Sequence, residues 1–178
     1  MIYLTFGSVF GYLSDAAPAY RAAVRAIADL PVRILLTLGH RLDPATLGRL
    51  PANVHVEPWV EQLDVLAAAT LVVCHGGSGT VFGALAAGVP VVVVPSFADQ
   101  FANGRRMAAA GAGITVEADP GRDHGARRLI ADHDAPRITT AVDAALTEPG
   151  YREAARRISA EMSTAPIADE IMARLLAS

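Results

Sequence analysis

Three short stretches of this 178-residue chain carry side chains able to do chemistry: Trp59-Val60-Glu61-Gln62, His75-Gly76-Gly77-Ser78-Gly79-Thr80, and Asp99-Gln100. The middle stretch follows the apolar run Leu71-Val72-Val73-Cys74 and leads into a helical pattern. Glycines let a backbone approach a ligand closely. Ser78 and Thr80 donate from hydroxyls and His75 from its ring. A turn of this kind at the end of a buried strand aims unpaired N–H groups from a positive helix end, a geometry that holds phosphate, and a diphosphate is its natural guest. The plainer alternative is a strand-to-helix bend in which the glycines serve the turn alone. The stretch lacks the Gly-Lys-Ser/Thr ending of a Walker loop, and it does not fit the Gly-x-Gly-x-x-Gly dinucleotide fingerprint. Asp99-Gln100 opens the next helical pattern, where aspartate is commonly a cap. A carboxylate beside an amide also suits vicinal hydroxyls, since the pair offers acceptors and donors together. Trp59, the only tryptophan, reads either as a core residue or as a loop residue stacking on a flat base.

Composition narrows the partners. The formal charge is −3, with no basic stripe, which argues against nucleic acid. No apolar run approaches the roughly 20 residues needed to span a bilayer. Met1 leads directly into the apolar run Ile2–Phe6, so no signal peptide is read and a cytoplasmic protein is expected. All 15 basic residues are arginine, so no lysine can act as nucleophile, Schiff base or phosphate-loop cation; with abundant alanine this reads as a GC-rich bacterial coding bias. Cys74, the single cysteine, reads as an inert core thiol. His40, His55, His124 and His133 lack metal-ligand spacing, and no metal site is expected.

The elements that must position these residues alternate. Continuous apolar runs at Ile2–Phe6, Val32–Leu38, Val54–Val56, Leu71–Cys74, Val89–Val94 and Ile114–Val116 predict strands buried on both faces. Helical patterns fall at Ala17–Asp29, Glu61–Ala68, Thr80–Ala87 and Asp99–Ala109, with Gly88 and Gly111 placed as helix stops. The class is α/β: a Rossmann-like, doubly wound parallel sheet of about six strands in the order 3-2-1-4-5-6, followed by C-terminal helices. One domain spans 1–178, with a surface insertion at about 118–134, including a helical turn near Ala126–Ala131, and helices over about 136–177 that start at Ala135-Pro136 and Ala165-Pro166. Glu148-Pro149-Gly150 marks a break. In this strand order the loops Gly7-Ser8 and His75–Thr80 flank the crevice where the sheet reverses direction.

Together, Trp59-Val60-Glu61-Gln62, His75–Thr80, Asp99-Gln100 and the opening Thr5-Phe6-Gly7-Ser8 resemble the donor-binding signature of GT-B glycosyltransferases, in particular bacterial natural-product enzymes and the plant UDP-sugar transferases. The likeness runs from Tyr3 to about Val116. It implies that Trp59, Val60 and Gln62 hold the base. Ser8, His75, Gly77, Ser78, Gly79 and Thr80 would hold the diphosphate, and Asp99 and Gln100 the sugar hydroxyls. Three positions depart from the plant pattern. Gly83 stands where a glutamate grips both ribose hydroxyls, Glu61 replaces a proline, and segment 118–134 is longer. Without that glutamate a 2′-deoxyribose fits better, so dTDP is favoured over UDP.

The resemblance implies the donor-binding half of an inverting, metal-independent glycosyltransferase involved in antibiotic biosynthesis. It would move a hexose, expected to be a deoxyhexose, to a hydroxyl of a small natural product, with no cofactor beyond the nucleotide sugar. The acceptor pocket and the catalytic base belong to an N-terminal domain, in the same polypeptide or a separate subunit. No residue of this chain matches that base, so the chain alone is expected to bind donor and turn over little. The alternative is a non-catalytic nucleotide-sugar-binding subunit or sensing module.

Overall fold

The computed structural model describes residues 1–119, 128–166, 172, 175 and 176. Six strands form one sheet: β1 (Ile2–Thr5), β2 (Ile34–Thr37), β3 (Val54–Glu57), β4 (Leu71–Cys74), β5 (Val91–Val93) and β6 (Gly113–Thr115). Their order is β3-β2-β1-β4-β5-β6 and every pairing is parallel. The expected fold class and strand order are therefore observed. β1 lies at the reversal point, with Thr5 paired to Thr37 of β2 on one side and to Cys74 of β4 on the other.

Strand alternation divides the core between the two faces. Ile2, Leu4, Ile34, Leu36, Leu71 and Val73 pack with Phe6, Phe10 and Tyr20 on one side. Tyr3, Val72, Cys74, Val91 and Val93 pack with Leu66, Val81 and Met107 on the other. Helices α2 (Ala16–Ile27) and α6 (Ala135–Thr147) cover the first face, and α4 (Ser78–Ala86) and α7 (Pro149–Ser163) the second. The remaining helices are α1 (Gly7–Phe10), α3 (Gln62–Ala68) and α5 (Gln100–Ala109).

Several boundaries differ from the periodic pattern. The runs at Val32–Leu38 and Val89–Val94 overshoot strands β2 and β5, because apolar character continues past the last ladder pair. Helix α1 is one turn long, too short to leave a helical period. Glu148 ends α6 and also opens α7, with Pro149 in the first turn, where its missing N–H costs nothing. Residues 120–127 of the expected insertion, with the start of its expected helical turn, lie outside the described residues. Ala118, Ile130 and Asp134 at its described ends are buried, and a short 3-10 turn forms at Asp132–Asp134. The helix expected from Ala165-Pro166 falls mostly outside the described residues. Among those described, no helix is long and apolar enough to cross a membrane.

Candidate functional site

A cleft of about 310 Å³ opens at the C-terminal ends of β1, β2 and β4, where the strand order reverses. It is lined by Ser8 from the β1 loop, Gly39 from the β2 loop, Pro58, Trp59, Val60 and Gln62 from the β3 loop, and His75, Gly77, Ser78, Gly79 and Thr80 from the β4 turn. Nine of the eleven residues singled out from the sequence thus meet in one cavity. Asp99 and Gln100 do not line it; they stand behind Ser78, at the start of α5.

The β4 turn is built around the His75 ring. Gly7, in a left-handed conformation (φ +75°), brings its Cα so close that a Cβ would sit 2.8 Å from His75 Cε1. Gly77 crowds the same Cε1–Nε2 edge, where a Cβ would overlap Nε2. Gly76 (φ +88°) has no room either: a Cβ would meet Val93 Cγ1 at 2.6 Å. The glycines of this turn therefore do more than bend the chain. They clamp an imidazole between the β1 and β4 loops. Burial pushes the His75 pKa down to about 4, against the opposing pull of the Asp99 charge and the Thr5 backbone. The ring is neutral at pH 7 and presents one N–H donor. Its Nδ1 is buried with no hydrogen-bond partner among the described residues.

Helix α4 starts at Gly77, whose backbone conformation is extended and which offers no side-chain cap. The first intrahelical bond runs from Val81 N to Gly77 O at 3.0 Å. The N–H groups of Ser78, Gly79 and Thr80 precede it and are not consumed by the helix. They carry the positive end of the helix dipole to the cleft. Among the described residues, no arginine, aspartate or glutamate lines the cleft, so these residues offer neutral donors rather than ion pairs. Below them lies a floor of hydroxyls: Tyr3 Oη is 3.2 Å from Thr37 Oγ1, and Thr37 donates to Thr5 Oγ1 at 2.7 Å. Thr5 Oγ1 also accepts from Gly7 N at 3.2 Å.

Trp59 is 57% exposed, so its indole is not a core residue; it forms a wall of the cleft. Asp99 precedes α5 without capping it. Its Oδ2 instead accepts from Ser78 Oγ at 3.1 Å and from Asn103 Nδ2 at 3.0 Å, and these two bonds hold its carboxyl below the usual carboxylate range. Ala98, just before it, has φ +57°, a left-handed conformation that costs an alanine about 1 kcal/mol or more. Gln100 is 4% exposed, and its Oε1 accepts from Ser96 N and Phe97 N at 2.8 and 3.1 Å. That oxygen therefore shapes its own loop. Asn103 was not singled out from the sequence. It donates to Gly76 O at 2.9 Å as well as to Asp99, and its spacing of four from Asp99 on a helix was the available signal. Among the described residues, no group of three or more His, Cys, Asp or Glu side chains is placed to hold a metal ion.

Residues 21–178 match the family described as erythromycin biosynthesis protein CIII-like, C-terminal domain. The chain is 39% identical over 133 residues to the elloramycin glycosyltransferase of Streptomyces olivaceus, covering 75% of this chain and 30% of that one. It is 36% identical over 170 residues to the oleandomycin glycosyltransferase of Streptomyces antibioticus, covering 91% and 38%. Among solved structures, the glycosyltransferase SnogD from Streptomyces nogalater superposes with a TM-score of 0.79 at 34% identity, covering 99% of this chain and 43% of that one. The spinosyn rhamnosyltransferase SpnG complexed with thymidine diphosphate gives 0.80 at 32% identity, covering 99% and 45%. The chain spans less than half the length of each of these relatives. A six-stranded sheet in this order, a glycine-clamped histidine at its switch point and a family match over most of the chain lead to one assignment: the chain belongs to the erythromycin biosynthesis protein CIII-like C-terminal domains, one half of the GT-B natural-product glycosyltransferase architecture.

Proposed function

We propose that this chain is the donor-binding half of an inverting glycosyltransferase that uses a nucleotide-diphosphate sugar and needs no metal or further cofactor. The observation that carries the reading is the convergence of Trp59, His75, Ser8 and the free N–H groups of Ser78–Thr80 on one cleft at the switch point. The indole stacks on the base, with the Val60 backbone and Gln62 at the base edge. The diphosphate sits against the start of α4, and its sugar extends past Ser78 toward Asp99 and Gln100. When an acceptor hydroxyl attacks the anomeric carbon from the opposite face, the bond to the diphosphate breaks and negative charge grows on the leaving group. Fixed N–H donors and the neutral His75 ring stabilise that charge without reorganising. His75 does not serve as general base. A group with a pKa near 4, packed against two glycines, is far from the operating pH that such a base requires. The base and the acceptor pocket come from a domain or subunit beyond this chain.

The preferred donor is a dTDP-linked hexose, with a deoxyhexose favoured, and the acceptor a hydroxyl of a small natural product. Gly83 supports the choice of nucleotide. It lies outside the cleft lining, and a Cβ there would stand 3.0 Å from Leu66 Cδ1 of α3. A Cβ at 83 would need Leu66 to give by a few tenths of an ångström, and glycine itself offers no carboxylate to a ribose 2′-hydroxyl. Calorimetry with dTDP and UDP tests both levels of the proposal, in buffer containing EDTA. Tighter binding of dTDP is expected. Tighter UDP binding overturns the nucleotide preference, and no binding of either at millimolar concentration overturns the donor site.

A further inference from the structure

Ser78 stands between two acceptors that cannot both have its proton. Its Oγ donates to Asp99 Oδ2 at 3.1 Å, yet the same residue lines the cleft that Asp99 does not line. A serine hydroxyl carries one hydrogen. In the ligand-free chain that hydrogen goes to the carboxylate. A phosphate oxygen entering the cleft brings no proton of its own at pH 7, so the Ser78 hydroxyl can hold it only by letting go of Asp99. We infer that Ser78 is an exchange switch joining the two ends of the donor site: diphosphate binding turns its hydroxyl from Asp99 to a phosphate oxygen, and the lone pair released on Asp99 Oδ2 then accepts a sugar hydroxyl. The inference deepens the donor-site reading above and rests on it.

Asn103 lets the exchange proceed without moving the carboxylate. Its Nδ2 donates to Asp99 Oδ2 at 3.0 Å and to Gly76 O at 2.9 Å, and lies 3.2 Å from Ser78 Oγ. One side chain on α5 therefore ties together the backbone of the β4 turn, the serine and the aspartate. When Ser78 turns away, Asp99 keeps the Asn103 bond and its place beside the cleft. His75, whose charge would act on Asp99, is neutral at pH 7, so the aspartate is the charged one of the two. A bound nucleotide diphosphate without its sugar leaves Asp99 short of one donor, and the donor sugar restores it. After transfer, the return of Ser78 to Asp99 favours release of the spent diphosphate.

A double-mutant cycle read by calorimetry with dTDP tests the exchange, using the native chain, Ser78→Ala, Asp99→Ala and the double variant. In the native background Ser78→Ala should weaken dTDP by no more than about threefold, because the phosphate bond is gained at the carboxylate's expense. In the Asp99→Ala background Ser78 has no competitor, and its loss should cost the whole charge-assisted bond, about tenfold or more. Repulsion between the carboxylate and the diphosphate is absent from both Asp99→Ala forms and cancels in the cycle. Ser78 and Asp99 are exposed, so the fold should survive. Asp99→Val provides a second carboxylate-free background if Asp99→Ala does not fold. A cost of Ser78→Ala that is not larger without the carboxylate overturns the exchange while leaving dTDP binding in place. Failure of the native chain to bind dTDP at all overturns the donor-site reading and the exchange with it.

Discussion

At the scale of single residues, His75 joins the stability of the fold to the proposed donor site. Its pKa falls from 6.5 in the unfolded chain to about 4 in the fold. The unfolded state therefore binds more protons between those values, and stability is lost as pH drops through that window. The full effect is on the order of 3 kcal/mol, about 2 of which fall between pH 7 and pH 5. Thermal unfolding should occur several degrees lower at pH 5 than at pH 7, at about 2–4 °C per kcal/mol for a chain of this size. His75→Gln keeps a planar side chain between Gly7 and Gly77 and should shrink that pH difference. An unchanged difference would remove His75 as its source. The type and spacing of His75 were legible in the sequence. The clamp was not, because Gly7 lies 68 positions before His75 in the chain (75 − 7) and only the β1–β4 pairing brings the two together.

At the scale of elements, the strand runs gave the sheet and its order because parallel strands buried on both faces leave continuous apolar segments. Three features escaped. Helix α1 is a single turn opened by a left-handed glycine. Asn103 lies on α5 among residues that read only as a helix face. The buried ends of segment 118–134 are short and polar-flanked, and look like surface in one dimension. Trp59 shows how an element decides between two readings. The loop after β3 carries the indole past the sheet edge, where it remains 57% exposed, so its removal costs little packing. Trp59→Ala should leave the unfolding temperature within about 1 °C while weakening dTDP about 5- to 150-fold, the value of one aromatic–base stack. A large drop in unfolding temperature with unchanged affinity would return Trp59 to a structural role.

At the scale of the whole molecule, the proposed ligand site lies on loops from four strands. A bound nucleotide therefore joins both halves of the sheet and should stabilise the fold globally. At 100 times its dissociation constant, dTDP adds about 2.7 kcal/mol, a rise in unfolding temperature of roughly 5–10 °C, and UDP at the same concentration should raise it less. Differential scanning calorimetry measures both, and equal shifts would argue against a nucleotide preference. The hydroxyls under the cleft carry a further consequence. Thr37 has one proton and gives it to Thr5, so the Tyr3 phenol must be the group that supplies Thr37 across their 3.2 Å contact. Thr5 takes from Thr37 and from the Gly7 amide, which leaves its own hydrogen as the outward end of the row. The dipoles thus add head to tail from the phenol toward the crevice, each bond polarising the next. Tyr3→Phe, which removes only the first donor of the row, should loosen dTDP by a small factor measurable by calorimetry. Anion affinity in this chain would then be set partly from beneath, by a phenol that orders the hydroxyls of two threonines.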